Sequence, residues 1–161
     1  MKVLGLLFLF IGGTMISGAS ASSACTNSKE GASPDELTAK EDTTMSHKIN
    51  IAVNNQSFTA TLFDNDTAGA FIKMLPLTID MIELNGNEKY YDLPNSLPVN
   101  ASNPETIQNG DIMLFGSRTL VLFYQTFSTS YRYTKLGQVD DPAGLEAALG
   151  PGNVTVTFEE K

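Results

Sequence analysis

The side chains that most often carry chemistry are scarce in this sequence. His47 is the only histidine and Cys25 the only cysteine among 161 residues. Nucleophilic catalysis of the Ser-His-Asp or Cys-His kind needs a histidine held beside the attacking group. His47 stands at the end of a polar stretch, which argues for a solvated side chain. One histidine and one cysteine also make no ligand set for zinc. Asp64-Asn65-Asp66 opens like a calcium loop but lacks the later glycine and glutamate, so helix capping explains it better. Glu88-Lys89, beside the Asn85-Gly86-Asn87 turn, reads as a surface ion pair, with an acid–base pair as the alternative. There is no glycine-rich phosphate loop and no dinucleotide fingerprint. No metal and no cofactor is expected.

What remains is recognition chemistry. Tyr91, Phe115, Phe123, Tyr124, Arg132 and Tyr133 are the aromatic and polar residues that could line a pocket. Tyrosine offers a flat apolar face with a polar tip, which suits a peptide or a small ring. Arg132 could pair with a carboxylate or phosphate on a ligand. The alternative is that Phe123 and Tyr124 are core and Arg132 is a solvated strand residue.

Ten Lys and Arg face eighteen Asp and Glu, a net charge of −8. An acidic surface without a basic patch disfavours nucleic acid and anionic lipid as partners. Hydrophobic residues make up 42%, enough to give a chain of this length one real core. With a single cysteine no internal disulfide can form, so the domain must be stable by packing alone.

The N-terminus reads as an export signal. Lys2 is a short positive region, Val3 to Ile11 is an apolar run, and small residues continue to Ala24. The run is too short for a permanent membrane span. Ala19-Ser20-Ala21 offers an ordinary cleavage site. Alternatively, Cys25 after Ser22-Ser23-Ala24 resembles the lipid-modified first residue of a bacterial lipoprotein, although Ser22 stands where an aliphatic residue is usual. Residues 1–24 are thus expected to be signal and 25–47 a disordered tether, rich in Ser, Thr, Glu, Asp and Lys. The folded domain is expected over 48–161. The expected location is periplasmic or membrane-anchored, with membrane contact only through a lipid at Cys25, and the expected state is a monomer.

Any pocket must be built by the elements that follow. Ile49, Ile51 and Val53, then Phe58, Ala60 and Leu62, alternate around Asn54-Asn55 and predict a hairpin. Ala68, Phe71, Ile72 and Leu75 form one helical face, capped by Asp64, Asp66 or Thr67 and stopped by Pro76. Leu77 to Leu84 predicts a strand, with a turn at Asn85-Gly86. Tyr90 to Gln108, with three prolines, predicts a long loop. Asp111–Phe115 and Thr119–Tyr124 predict two strands, and Leu120 to Tyr124 has no polar break, so burial on both faces is expected. Ser130 to Val139 predicts another strand. A short helix runs from Asp141-Pro142 to Gly150, and Val154, Val156 and Phe158 alternate in a last strand. About seven or eight strands and two short helices predict a mainly β fold, a closed or strongly curved barrel with helices closing its ends.

The order of these elements resembles the cyclophilin fold. Gly110-Asp111-Ile112-Met113-Leu114-Phe115, Leu120-Val121-Leu122-Phe123-Tyr124 and Leu136-Gly137-Gln138-Val139 with its following helix are similar to the second half of a cyclophilin. Asp64 to Leu75 matches its first helix. Ala68, Leu75-Pro76, Glu88-Lys89, Gly110-Asp111, Phe123-Tyr124 and Leu136-Gly137 occur in the order found in small bacterial cyclophilin-like proteins. The resemblance covers about residues 48–160. It implies a pocket around Phe123 and brings prolyl isomerisation to mind, which must lower a barrier of about 18–20 kcal/mol. The isomerase arginine belongs to a Phe-His-Arg segment that is missing here. The two arginines, Arg118 and Arg132, lie outside any such motif, the chain has no tryptophan, and Tyr133 stands where a pocket histidine is usual. The first expectation is therefore an exported module that binds a peptide or small molecule around Phe123. The second is a weak or altered prolyl isomerase using Arg118 or Arg132. The third is an interaction subunit of a cell-envelope assembly.

Overall fold

A computed structural model describes residues 46–161. The signal segment, nearly all of the tether and Cys25 lie outside the described residues. Ten strands and two helices follow in chain order: β1 (His47–Val53), β2 (Gln56–Leu62), α1 (Asp66–Ile72), β3 (Leu77–Leu84), β4 (Glu88–Asp92), β5 (Thr106–Ile107), β6 (Asp111–Phe115), β7 (Thr119–Phe123), β8 (Phe127–Ser128), β9 (Tyr133–Val139), α2 (Leu145–Leu149) and β10 (Val154–Glu160). Eight of the strands close into a barrel in the order β1-β10-β3-β4-β7-β6-β9-β2, with β2 returning to β1. Every pairing is antiparallel. Closure leaves no unpaired strand edge in the barrel wall. The expected mainly β barrel with two short helices is the observed one.

Alternation decides what fills it. Ile49, Ile51 and Val53 of β1, Ala60 and Leu62 of β2 and Val156 and Phe158 of β10 point inward and are buried. The β1–β2 turn puts Asn54 in the left-handed region at φ 52°, which asparagine tolerates. Asn54 Nδ2 donates to the Ala148 carbonyl at 2.7 Å, tying the hairpin tip to α2. Helix α1 follows the far end of the same hairpin and buries Phe71 edge-on against Phe158, with centroids 5.7 Å apart. The two helices therefore sit at opposite ends of the barrel. Gly137 permits close approach of β9 to β2: a Cβ there would stand 2.5 Å from the Thr61 carbonyl oxygen.

Several local expectations change. The α1 cap is Asn65, whose side chain accepts from the Ala68 N–H at 2.9 Å. The helix ends at Ile72, well before Pro76. Asp141 does not cap α2 directly; it accepts from the Ala143 N–H in the preceding turn, and the helix starts after Gly144. Tyr90 and Tyr91 belong to β4, so the loop begins only at Leu93. The expected strand over 130–139 starts at Tyr133, and β1 takes in His47.

The barrel also has a second, smaller core on its outside. Ile107, Met113, Val121, Phe123 and Tyr133 form a separate buried cluster, with Tyr90 and Phe127 packed against it. Tyr90, Val121, Phe123, Met113 and Tyr133 lie on the outer faces of β4, β7, β6 and β9, and Ile107 and Phe127 belong to the β5–β8 pair that covers part of them. This cover is why Leu120 to Tyr124 is buried on both faces.

Candidate functional site

The uncovered part of that outer surface is a groove of about 590 Å³. Strand alternation supplies its lining. Glu88, Tyr90 and Asp92 project outward from β4, Thr119 and Val121 from β7, Phe115 from β6 and Tyr133 from β9. The segment from Phe127 to Tyr131 forms the opposite wall. Phe115 is 45% exposed and Tyr131 64% exposed. Their rings meet edge-on at 6.1 Å, and Phe115 also leans on Tyr133 at 5.6 Å. With Leu84, they are three of the large hydrophobics left exposed among the described residues. Such apolar groups clustered in one concavity are the usual mark of a binding site.

Phe123 lies beneath this surface. It is fully buried, edge-on to Tyr133 at 5.6 Å and against Phe127 at 5.8 Å. It supports the groove without lining it. Phe115 and Tyr133 are thus the two expected pocket residues that the groove presents. Tyr91 and Tyr124 are not brought there, because each stands one position out of phase with the outward set and faces the barrel interior. Arg132 is also elsewhere: it is exposed, and its Nη2 donates to the Ala101 carbonyl at 2.6 Å. Neither Arg132 nor Arg118 lines the groove. The sequence reading missed Tyr90, Phe127, Tyr131 and Asp92, and it read Glu88 as half of a surface or acid–base pair with Lys89 and not as a groove residue. The alternation Glu88-x-Tyr90-x-Asp92 carries the signal, but Pro94, Pro98 and Pro104 make Tyr90 read as the start of a loop.

The electrostatics of the groove are one-sided. Glu88 and Asp92 are acids, and none of its lining residues is Lys, Arg or His. Glu88 is half-buried and makes no ion pair among the described residues. Burial raises its pKa above the ordinary carboxylate range, and the nearby Glu83 charge adds to this. Tyr133 is also pushed up, by burial and then by the Glu88 charge.

Lys89, the next residue, is a correction to the surface-pair reading. It points inward and is fully buried. Its Nζ donates to Glu83 Oε2 and to the carbonyls of Gly150 and Gly152, each carbonyl at 2.7 Å. The ammonium also lies over the Tyr124 ring, 5.2 Å from its centroid. Tyr124 donates its hydroxyl to Glu83 at 2.7 Å. For Glu83, burial favours the neutral acid, but Lys89, Tyr124 and the Gly86 N–H outweigh it and hold the carboxyl below the usual range. Burial and the Glu83 hydrogen bond hold the Tyr124 hydroxyl well above the usual phenol range. This cluster binds β3, β4 and the chain beyond α2 to one another, with every strong group satisfied.

The model of the Cyclophilin-like family matches residues 51–159. The chain belongs to that family. A solved structure shares the fold. A hypothetical protein from Archaeoglobus fulgidus superposes on the cyclophilin-like domain with a TM-score of 0.56 at 15% identity, covering 75% of this chain and 99% of the archaeal one. At that identity the likeness speaks for the fold alone. No curated protein matches the chain.

Proposed function

We propose that the cyclophilin-like domain is a monomeric binding module that takes a peptide segment or small molecule in the outer groove. The observation behind this reading is the cluster of Phe115, Tyr131 and Tyr133 around a 590 Å³ concavity, on a rigid floor of buried rings. A site of this size suits a small ligand or a few residues of a peptide. Rings already held by packing lose little freedom when a ligand arrives. Because no arginine lines the groove, it offers no guanidinium to polarise a bound prolyl amide.

The test is a fragment and peptide screen followed by NMR with labelled aromatic side chains. Ligands are expected to shift Phe115, Tyr131 and Tyr133 while leaving Tyr124 unmoved. Hits that map only elsewhere, or none at all, would remove the reading. A prolyl isomerase assay beside the screen is expected to show no rate enhancement above background. The probe variant is Tyr131→Ala, since Phe123→Ala would damage the floor.

We propose further that the protein is exported and anchored through a lipid on Cys25, on the strength of the Lys2, apolar and small-residue pattern. Incorporation of labelled palmitate that is lost in Cys25→Ala is the expected result. Equal labelling of both proteins would overturn it.

A further inference from the structure

We propose that the groove selects an organic cation, a protonated amine or quaternary ammonium carried on an apolar body. The inference rests on the binding-module reading and adds the charge of the ligand. Two carboxylates, Glu88 and Asp92, face the groove with no basic side chain lining it. Glu88 is half-buried and has no cationic partner among the described residues. A partly desolvated carboxylate without a counter-charge is unfavourable in the empty protein and is relieved when a cation enters.

The walls point the same way. The faces of Phe115 and Tyr131 carry negative π density and attract ammonium groups. Asn87, which also lines the groove, has a buried Oδ1 with no hydrogen-bond partner among the described residues. The net charge of −8 raises the local concentration of cations around the whole protein. A bare metal ion fits less well. Among the described residues no group of three or more His, Cys, Asp or Glu is placed to hold one, and a 590 Å³ space is far larger than a metal needs.

The experiment compares three probes of one shape on the intact protein: phenethylamine, 2-phenylethanol and phenylacetate. Binding is followed by calorimetry and located by aromatic NMR shifts at Phe115 and Tyr131. The amine is expected to bind roughly tenfold tighter than the alcohol, and the anion most weakly. Glu88→Gln is expected to remove most of the amine's advantage over the alcohol. A lysine-centred pentapeptide, compared with its norleucine counterpart, shows whether a polypeptide can deliver the cation. A lysine preference assigns a peptide source and its absence a free amine. Equal binding of amine and alcohol in the groove would overturn the charge selection and leave the binding module standing. Failure of all probes to shift groove residues would overturn both.

Discussion

Glu83 and Glu88 flank the same Asn85-Gly86 turn, yet their surroundings differ in kind. Glu83 meets the Lys89 ammonium, the Tyr124 hydroxyl and the Gly86 N–H. Glu88, on the other strand of the hairpin, lies half-buried among aromatic rings with no counter-charge among the described residues. The first arrangement is complete and holds chain segments together. The second is incomplete and faces solvent through a groove. A carboxylate with all its partners reads as structure, and one kept partly dry without a partner reads as a place prepared for something else.

The contrast can be broken most forcefully at Lys89. Lys89→Met strands the Glu83 carboxylate and removes the donor from two carbonyls, so a loss of about 3–5 kcal/mol is expected in denaturant unfolding. A loss below 1 kcal/mol would mean the cluster is not an anchor. Tyr124→Phe tests the same cluster more gently, and losing its hydrogen bond to Glu83 should cost on the order of 1–3 kcal/mol.

Acid should separate the two carboxylates by sign. The folded pKa of Glu83 is depressed, so its contribution is fully present above the ordinary carboxylate range and is lost as pH falls through the lower folded value. The folded pKa of Glu88 is raised, so its ionisation opposes folding as pH climbs through the ordinary range and up to that higher value. Glu88→Gln should therefore match the parent in strong acid and exceed it slightly at neutral pH. Solvent screening keeps the gain small, on the order of a degree or two in Tm. A neutral-pH loss would show that Glu88 has a structural partner after all. The smallest stability effect is expected at Tyr131→Ala, within about 0.5 kcal/mol of the parent, although groove binding should fall clearly.

The sequence showed the barrel better than the groove, and the reason is range. The β1–β2 hairpin, the Asn85-Gly86 turn and the β6–β7 pair are local patterns, and each was legible. The two-residue strands β5 and β8 have no periodicity to read and exist because they cover Phe123 and its neighbours. Burial of Lys89 depends on the carbonyls of Gly150 and Gly152, some sixty residues away, so no local window could reveal it. The unbroken run Leu120 to Tyr124 did forecast burial on both faces. It therefore implied an outer layer, though not which aromatic residues would line its open part.

The ring order has a consequence for how the domain can be handled or displayed. Counting round the wall, β7 is four strands from β1 in either direction, and β10 is the neighbour of β1. The beginning of β1 pairs with the end of β10, where the Lys161 N–H reaches the Lys48 carbonyl. Both ends of the barrel segment therefore emerge side by side on the wall opposite the groove. A label, a fusion partner or a solid support joined at either end would stand behind the barrel, and the groove would face away from it.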